Sequence, residues 1–378
     1  ITHCPVGALH ERDDTRNLLD ALGDPDKIVI AQVAPAVRTA WGEDLGLTRE
    51  QATVGKMVSA LRTIGFDYVF DTDFAADMTI MEEGSELLER LSHKEDYSWP
   101  MFTSCCPGWI RFLKHEYPEF TKNLSSAKSP QQMFGSIAKT YFAKKLGVDA
   151  EKIVCVSIMP CIAKKYEADV PQVSSASEKD VDIVLTTREI CRMLRSGGLD
   201  FAKIQESEFD APLGLGTGAG VIFGTSGGVM EAALRSANYL ITGENPDADK
   251  FSAVRGMDGW KERTVQVGDA TLNVAVTNGL ANARRLIEAI KAGKVSYDFV
   301  EIMACPGGCV GGGGQPIRDG QELAAERSKT LRNLDSASVI RFSHENPFIK
   351  TVYEEYLEKP NSHIAHELLH TSHQEWDI

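Results

Sequence analysis

Cys305-Pro306-Gly307-Gly308-Cys309, running on through Val310 into Gly311-Gly312-Gly313-Gly314, constrains this chain more than any other stretch. Two cysteines stand three residues apart in a loop almost without side chains. Glycine lets a backbone approach a bulky inorganic group closely and leaves amide N–H groups free to face sulfur. A flexible linker with two incidental thiols is the plainer interpretation. Against it, Asp298-Phe299-Val300-Glu301-Ile302-Met303 reads as a strong strand, and strand ends carry sites in α/β folds. An iron–sulfur cubane takes four ligands. Two thiolates here therefore require two more elsewhere.

The chain has 378 residues, enough for two or three domains and a large core. A formal charge of -14 argues against nucleic acid or an anionic membrane surface as partner. No apolar run approaches the ~20 residues of a membrane span, and no signal peptide opens the sequence. Eight cysteines in this length do not read as a secreted disulfide framework. The expectation is a cytoplasmic protein with metal-binding thiols.

Taken in order, strand-length apolar runs alternate with helical patterns. Strands are expected at 27–33, 68–70, 101–103, 152–158, 182–186, 220–223, 272–276 and 298–303. Helices are expected at 49–64, 74–91, from about 108, from Ser129-Pro130 (Ser as N-cap, Pro at the first position), 229–240 and 281–290. Such alternation implies an α/β fold of two lobes, each a parallel sheet flanked by helices, with the site between them. The divisions read as 1–25, a remnant and linker; 26–178, the first lobe; 179–322, the second; and 323–378, a helical tail.

Further thiols supply the missing ligands. Thr103-Ser104-Cys105-Cys106-Pro107-Gly108-Trp109 puts two cysteines between a strand and a helix, where the helix N-terminus favours anionic sulfur. Met159-Pro160-Cys161-Ile162-Ala163-Lys164-Lys165 is built the same way. Cys155 and Cys191 lie in apolar patterns and read as buried structural thiols.

TSCCPGW (103–109), MPCIAKKYEAD (159–169) and EIMACPGGCVGGGGQP (301–316) together closely resemble the three signatures of [FeFe]-hydrogenases, the iron-only hydrogenases. The resemblance runs from about residue 25 to the end. It implies an H-cluster, a 4Fe–4S cubane joined to a two-iron unit with carbonyl, cyanide and azadithiolate ligands. By motif position Cys106, Cys161, Cys305 and Cys309 hold the cubane, with Cys309 bridging to the two-iron unit. Cys105 is left as the proton carrier. Lys164 would pair with a cyanide, and Ala34, Pro35, Gln131, Met159, Phe223 and Met303 would line the pocket.

Glu83, Glu86 and Arg90 share one helix face, a pattern that usually marks solvated surface. The resemblance instead implies a relay from Cys105 through Glu83, Ser125 and Glu86 to Arg90 at the surface. The implied activity is reversible H2 oxidation and proton reduction by heterolytic cleavage. Its partners would be ferredoxin or a similar electron carrier, and maturation proteins for the two-iron unit, acting on a monomer. Ile1-Thr2-His3-Cys4-Pro5 looks like the tail of a bacterial ferredoxin motif, a remnant that binds no cluster alone. The alternative is an iron–sulfur scaffold, or a hydrogen or redox sensor, using the same fold without turnover.

Three motifs compete with this reading. His366-Glu367-Leu368-Leu369-His370 fits the zinc-protease pattern, but a third ligand is not evident. Gly224-Thr225-Ser226-Gly227-Gly228 fits a nucleophile elbow; a tight turn beside the cluster is preferred. Gly214–Gly220 imitates a dinucleotide fingerprint but is expected to precede a strand, where no phosphate site forms.

Overall fold

Two four-stranded sheets carry the structure. The computed structural model describes residues 6, 8–318 and 323–373, so Cys4 lies outside the described residues. The first sheet holds β1 (Ile28–Val33), β2 (Tyr68–Asp71), β4 (Ile153–Met159) and β5 (Ile183–Thr186) in the order β2-β1-β4-β5, all parallel. Its strands are nearly continuous runs of Val and Ile, as sheets covered on both faces require. The second holds β3 (Met101–Phe102), β6 (Trp260–Val267), β7 (Ala270–Asn278) and β8 (Phe299–Met303) in the order β3-β8-β7-β6. There β6 is an antiparallel edge strand paired to β7.

Sheet membership crosses the expected lobe boundary at 178/179. β3 joins the second sheet and β5 the first, so the chain passes between the sheets more than once.

The expected strand at 220–223 does not form. Gly218–Val221 is a short helix capped by Thr217, whose side chain accepts from Gly220 N, and Ile222–Gly224 is a 3-10 turn. A short buried apolar run looks alike in either conformation. β6 was not expected because its WKERTVQV sequence is largely solvent-facing. The signal available was Gly268-Asp269, a two-residue turn between alternating runs, with Gly268 at φ 59°. The helix expected from residue 49 starts at Val54, where Thr53 caps it. Ser129 sits at its expected N-cap position, but its hydroxyl donates to Glu167 Oε2 at 2.8 Å instead.

The helix Thr72–Ser92 contributes side chains to two hydrophobic cores and is buried over most of its length. Glu82 ties it to the C-terminal helices, accepting from Tyr353 OH, from Asn361 N at 2.8 Å and from His370 Nε2 at 3.0 Å. Among the described residues no helix is long and apolar enough to cross a membrane.

A second buried tie joins the helices Gly228–Thr242 and Ala324–Ala337. Arg235, fully buried, donates to Glu231 Oε1 at 2.7 Å and to both oxygens of Asp335 at 3.0 and 2.8 Å. Breaking a buried ion pair strands its partner charge. Arg235→Met is expected to cost about 3 kcal/mol in urea unfolding. A loss well under about 1 kcal/mol would show that the neighbouring arginines replace it.

Candidate metal centre

The loops at the carboxyl ends of β1, β3, β4 and β8 converge, so the site is built by strands of both sheets. This is where open α/β sheets place ligands. The loop after β8 is held on all sides and is no linker. Gly307 N donates to Asn278 Oδ1 at 3.0 Å, and Gly307 O accepts from Ser226 N at 3.0 Å. Gly314 N donates to Pro160 O at 2.8 Å, and Arg188 Nη1 donates to the carbonyls of Gly313 and Gln315, both at 2.7 Å. Gly308 has φ 92°, and a Cβ there would stand 2.7 Å from Ser226 N; one on Gly312 would stand 2.2 Å from Pro160 O. Glycine is required at both.

That packing brings four thiols to one place. Cys309 feels Cys106, Cys161 and Cys305 electrostatically, and Cys305 feels Cys161 and Cys106. The N–H groups of Ala163 and Lys164 face Cys161, and Ala304 N donates to Cys106 Sγ at 3.4 Å. Burial pushes the Cys161 thiol up to about 11 and Cys305 up to about 12. No three of these sulfurs come within 4.8 Å of one another. Four thiols and backbone N–H groups facing sulfur are a donor set that fits an iron–sulfur cluster. Cys155 and Cys191 are fully buried elsewhere, the latter donating to Trp41 O at 3.0 Å.

Beside the thiols lies a cavity with an empty volume of about 570 Å³. Ala34, Pro35, Gln131, Met159, Lys164, Phe223 and Met303 all line it, with Cys105, Cys106, Cys161 and Cys309. Its wall is mainly apolar and carries one cation. Lys164 Nζ donates to Glu167 Oε2 at 2.8 Å and to Cys105 O at 3.1 Å. Glu167 also receives Gln131 Nε2 at 3.0 Å, while Gln131 Oε1 accepts from Ser157 Oγ at 2.8 Å. Glu167 and Ser157 were not among the expected site residues. The three-residue spacing of Lys164 and Glu167 on a helix was the signal for the first; nothing local marks Ser157.

Cys105 lines the same cavity and feels Cys106 and Cys309 as well. Burial raises its thiol, and Glu83 is the largest nearby charge acting the same way. Glu83 is buried without a cation, and burial, then Glu86, pushes its carboxyl up to about 8. The Ser125 side chain and the Ser104 amide reach it. Ser125 Oγ donates to Glu86 Oε2 at 2.6 Å. Glu86 Oε1 accepts from Arg90 at 2.5 Å and 3.0 Å. Arg90 is not at the surface: it is 5% exposed, with Nη2 on Leu124 O at 2.9 Å and its guanidinium over the Tyr97 ring.

The competing motifs resolve into packing. Both nitrogens of His370 are engaged, by Glu82 and by Ser126 Oγ at 2.8 Å, so His366 and His370 do not form a zinc pair. Ser226 Oγ accepts from Asn278 Nδ2 at 3.1 Å, in the tight turn against the cysteine loop. The glycines of 214–220 allow close approach to Asp73 and Asp335, leaving no phosphate cradle. Glu231, Asp249 and Asp335 are close enough for one ion but are neutralised by Arg235, Arg255, Arg332 and Arg341.

Residues 27–313 match the family described as iron only hydrogenase large subunit, C-terminal domain, and 321–376 match iron hydrogenase small subunit. The NADP-reducing hydrogenase subunit HndD of Solidesulfovibrio fructosivorans is 52% identical over 373 residues, 97% of this chain and 64% of that protein. The chain thus spans just under two thirds of HndD. The cytosolic Fe-S cluster assembly factor narfl of Xenopus tropicalis is 33% identical over 355 residues, 92% of this chain and 74% of that protein. A solved structure of HydA(deltaEFG), described as revealing stepwise [FeFe]-hydrogenase H-cluster assembly, superposes with a TM-score of 0.84 at 46% identity. It covers 95% of this chain and 98% of that one.

Gly308→Ala is expected to leave a folded protein that retains far less iron than the wild type after reconstitution, because the loop cannot close on Ser226. Full iron content in that variant would place the loop's rigidity outside the requirement. Glu83 gives a second expectation. Its folded-state value of about 8 lies above the ordinary 4.5, so the folded protein holds the extra proton between those pH values. Stability therefore falls as pH rises through that window. Glu301, raised to about 7, and Asp77, raised to about 6, act with the same sign. The urea midpoint should drop between pH 6 and 8.5, and drop less in Glu83→Gln. Equal drops would show that Glu83 titrates normally.

Proposed function

The chain belongs to the iron-only hydrogenase family, and on that premise we propose that it reversibly exchanges H2 for two protons and two electrons. The observation that carries the proposal is Cys105, a thiol on the cavity wall backed by the buried Glu83. Cys106, Cys161, Cys305 and Cys309 would hold the cubane, and Cys309 would bridge to the two-iron unit. When bound, the H-cluster supplies electron transfer and a Lewis-acidic position for heterolytic cleavage of H2.

The chain's own residues do the rest. Ala34, Pro35, Met159, Phe223 and Met303 exclude water, which strengthens every charge acting inside. Lys164, held by Glu167, presents a fixed positive charge to anionic ligands, and Gln131 is oriented by Ser157 and Glu167. Cys105 Sγ holds the proton released on cleavage and passes it to the Glu83 carboxyl. A carboxyl near 8 changes its protonation close to neutral pH, as a relay requires. Ser125 Oγ hands it on to Glu86. Arg90, permanently charged, anchors Glu86 and does not itself release the proton. A low-potential carrier such as ferredoxin would exchange electrons, and maturation proteins would deliver the two-iron unit.

The likeness to narfl favours a second reading, an iron–sulfur assembly role. Cys105 and the Glu83 relay have no use in it. In Cys105→Ala, anaerobic infrared bands of metal-bound carbonyl and cyanide should match those of the maturase-treated wild type. Dye-driven H2 evolution should fall at least about 100-fold, the scale of a lost acid–base group. Normal evolution would remove Cys105 from the path. If the wild type keeps four irons but never acquires those bands, the assembly reading takes over.

A further inference from the structure

Ser125 can work as a relay only if its hydroxyl stays within reach of Glu83 on one side and Glu86 on the other. Its segment, 124–129, belongs to no helix or named strand. What fixes it must come from elsewhere. On one side Ser125 N donates to Phe102 O at 2.8 Å, at the end of β3. On the other side the helix Thr72–Ser92 holds it, with Ser126 N donating to Glu86 and Arg90 Nη2 to Leu124 O, and further ties come from the C-terminal segment. His373 Nε2 lies 2.8 Å from Ser125 O, Thr371 N donates to Ser126 O at 2.8 Å, and Lys128 N donates to Leu369 O at 2.8 Å. His370 Nδ1 lies 2.8 Å from Ser126 Oγ.

The chemistry sets the roles of the rings. A carbonyl oxygen only accepts, so His373 carries its proton on Nε2. His373 is 5% exposed, and burial holds its value down to about 4, so at neutral pH it is an uncharged donor and no proton carrier. His370 donates from Nε2 to Glu82, and its Nδ1 meets the Ser126 hydroxyl, which can serve as donor or acceptor.

We infer that His373, supported by His370, is a positioning residue for proton transfer, holding Ser125 in line between Glu83 and Glu86 through the Ser125 carbonyl. The inference rests on the relay reading above. It makes the C-terminal segment part of the proton path's scaffold.

The test compares His373→Ala, His373→Gln and His373→Met, alone and with Ser125→Ala, in maturase-loaded protein. Gln keeps an N–H donor; Met has similar bulk and none, so the pair decides the matter even if Ala disturbs folding. Expected are unchanged infrared cluster bands, a tenfold or greater loss of dye-driven H2 evolution in Ala and Met with a larger solvent isotope effect, and recovery to within about threefold in Gln. In the Ser125→Ala background, His373→Met should cost nothing more. In cluster-free protein, amide hydrogen exchange across 124–128 should be faster in Met than in Gln. Evolution by His373→Met within twofold of wild type, equal losses in Gln and Met, or a full additional loss on top of Ser125→Ala would each overturn the inference. A loaded wild type with no H2 turnover at all would instead overturn the relay reading, and the hydrogen-exchange comparison would still judge the positioning.

Discussion

Five buried acids lie on one helix, and the molecule is arranged around satisfying them. Asp73, Asp77, Glu82, Glu83 and Glu86 are each at most 8% exposed on Thr72–Ser92. A buried carboxylate is costly unless paired or hydrogen-bonded. Asp73 has Arg38, whose Nη1 stands 3.1 Å away. Asp77 takes Thr217, Ser343 and Asn346. Glu82 takes Tyr353, Asn361 and His370, and Glu86 takes Arg90 and Ser125. Apart from Arg90, which lies on the helix itself, these partners come from remote parts of the chain, so the pairs knit distant segments onto the helix. Glu83 has no cation, and one of its oxygens is without a hydrogen bond in this structure. It is the acid facing Cys105, where a proton that can be both held and released is useful.

Interleaving of the sheets follows the same need. Three cysteine loops meet at one point, and they arrive from the carboxyl ends of strands in two different sheets. The cavity between them is closed by Phe223 from a turn that is neither strand nor long helix. Arg188 and Asn278 then lock the glycine loop by its carbonyls and amides, a hold that needs no side chain from the loop itself.

Much of this was legible in the chain. Cysteine loops behind strands carried the convergence of the thiols, and continuous Val/Ile runs carried the parallel core. The residues proposed for the relay were legible only by motif position, because Glu83, Glu86 and Arg90 at helical spacing look like any solvated face. Burial made the difference: Arg90, expected at the surface, is buried against Leu124 and Tyr97. The run at 220–223 misled because length and hydrophobicity do not distinguish a buried strand from a turn packed on all sides. β6 hid because an edge strand facing water has no apolar pattern to read. The hold of His373 on Ser125 spans 248 residues between side chain and backbone, and no spacing rule announces such a contact.

Cys106 and Cys309 lie at opposite ends of most of the folded chain, with Cys161 and Cys305 between them. A cluster gripped by all four would close very large loops at once, as a disulfide does between remote positions. Cross-links of that reach remove much of the freedom of the unfolded chain. The metal group would then be a staple between the two sheets as well as a reaction centre. Resistance of the protein to heat and proteolysis would become a readout of how completely that staple has been set.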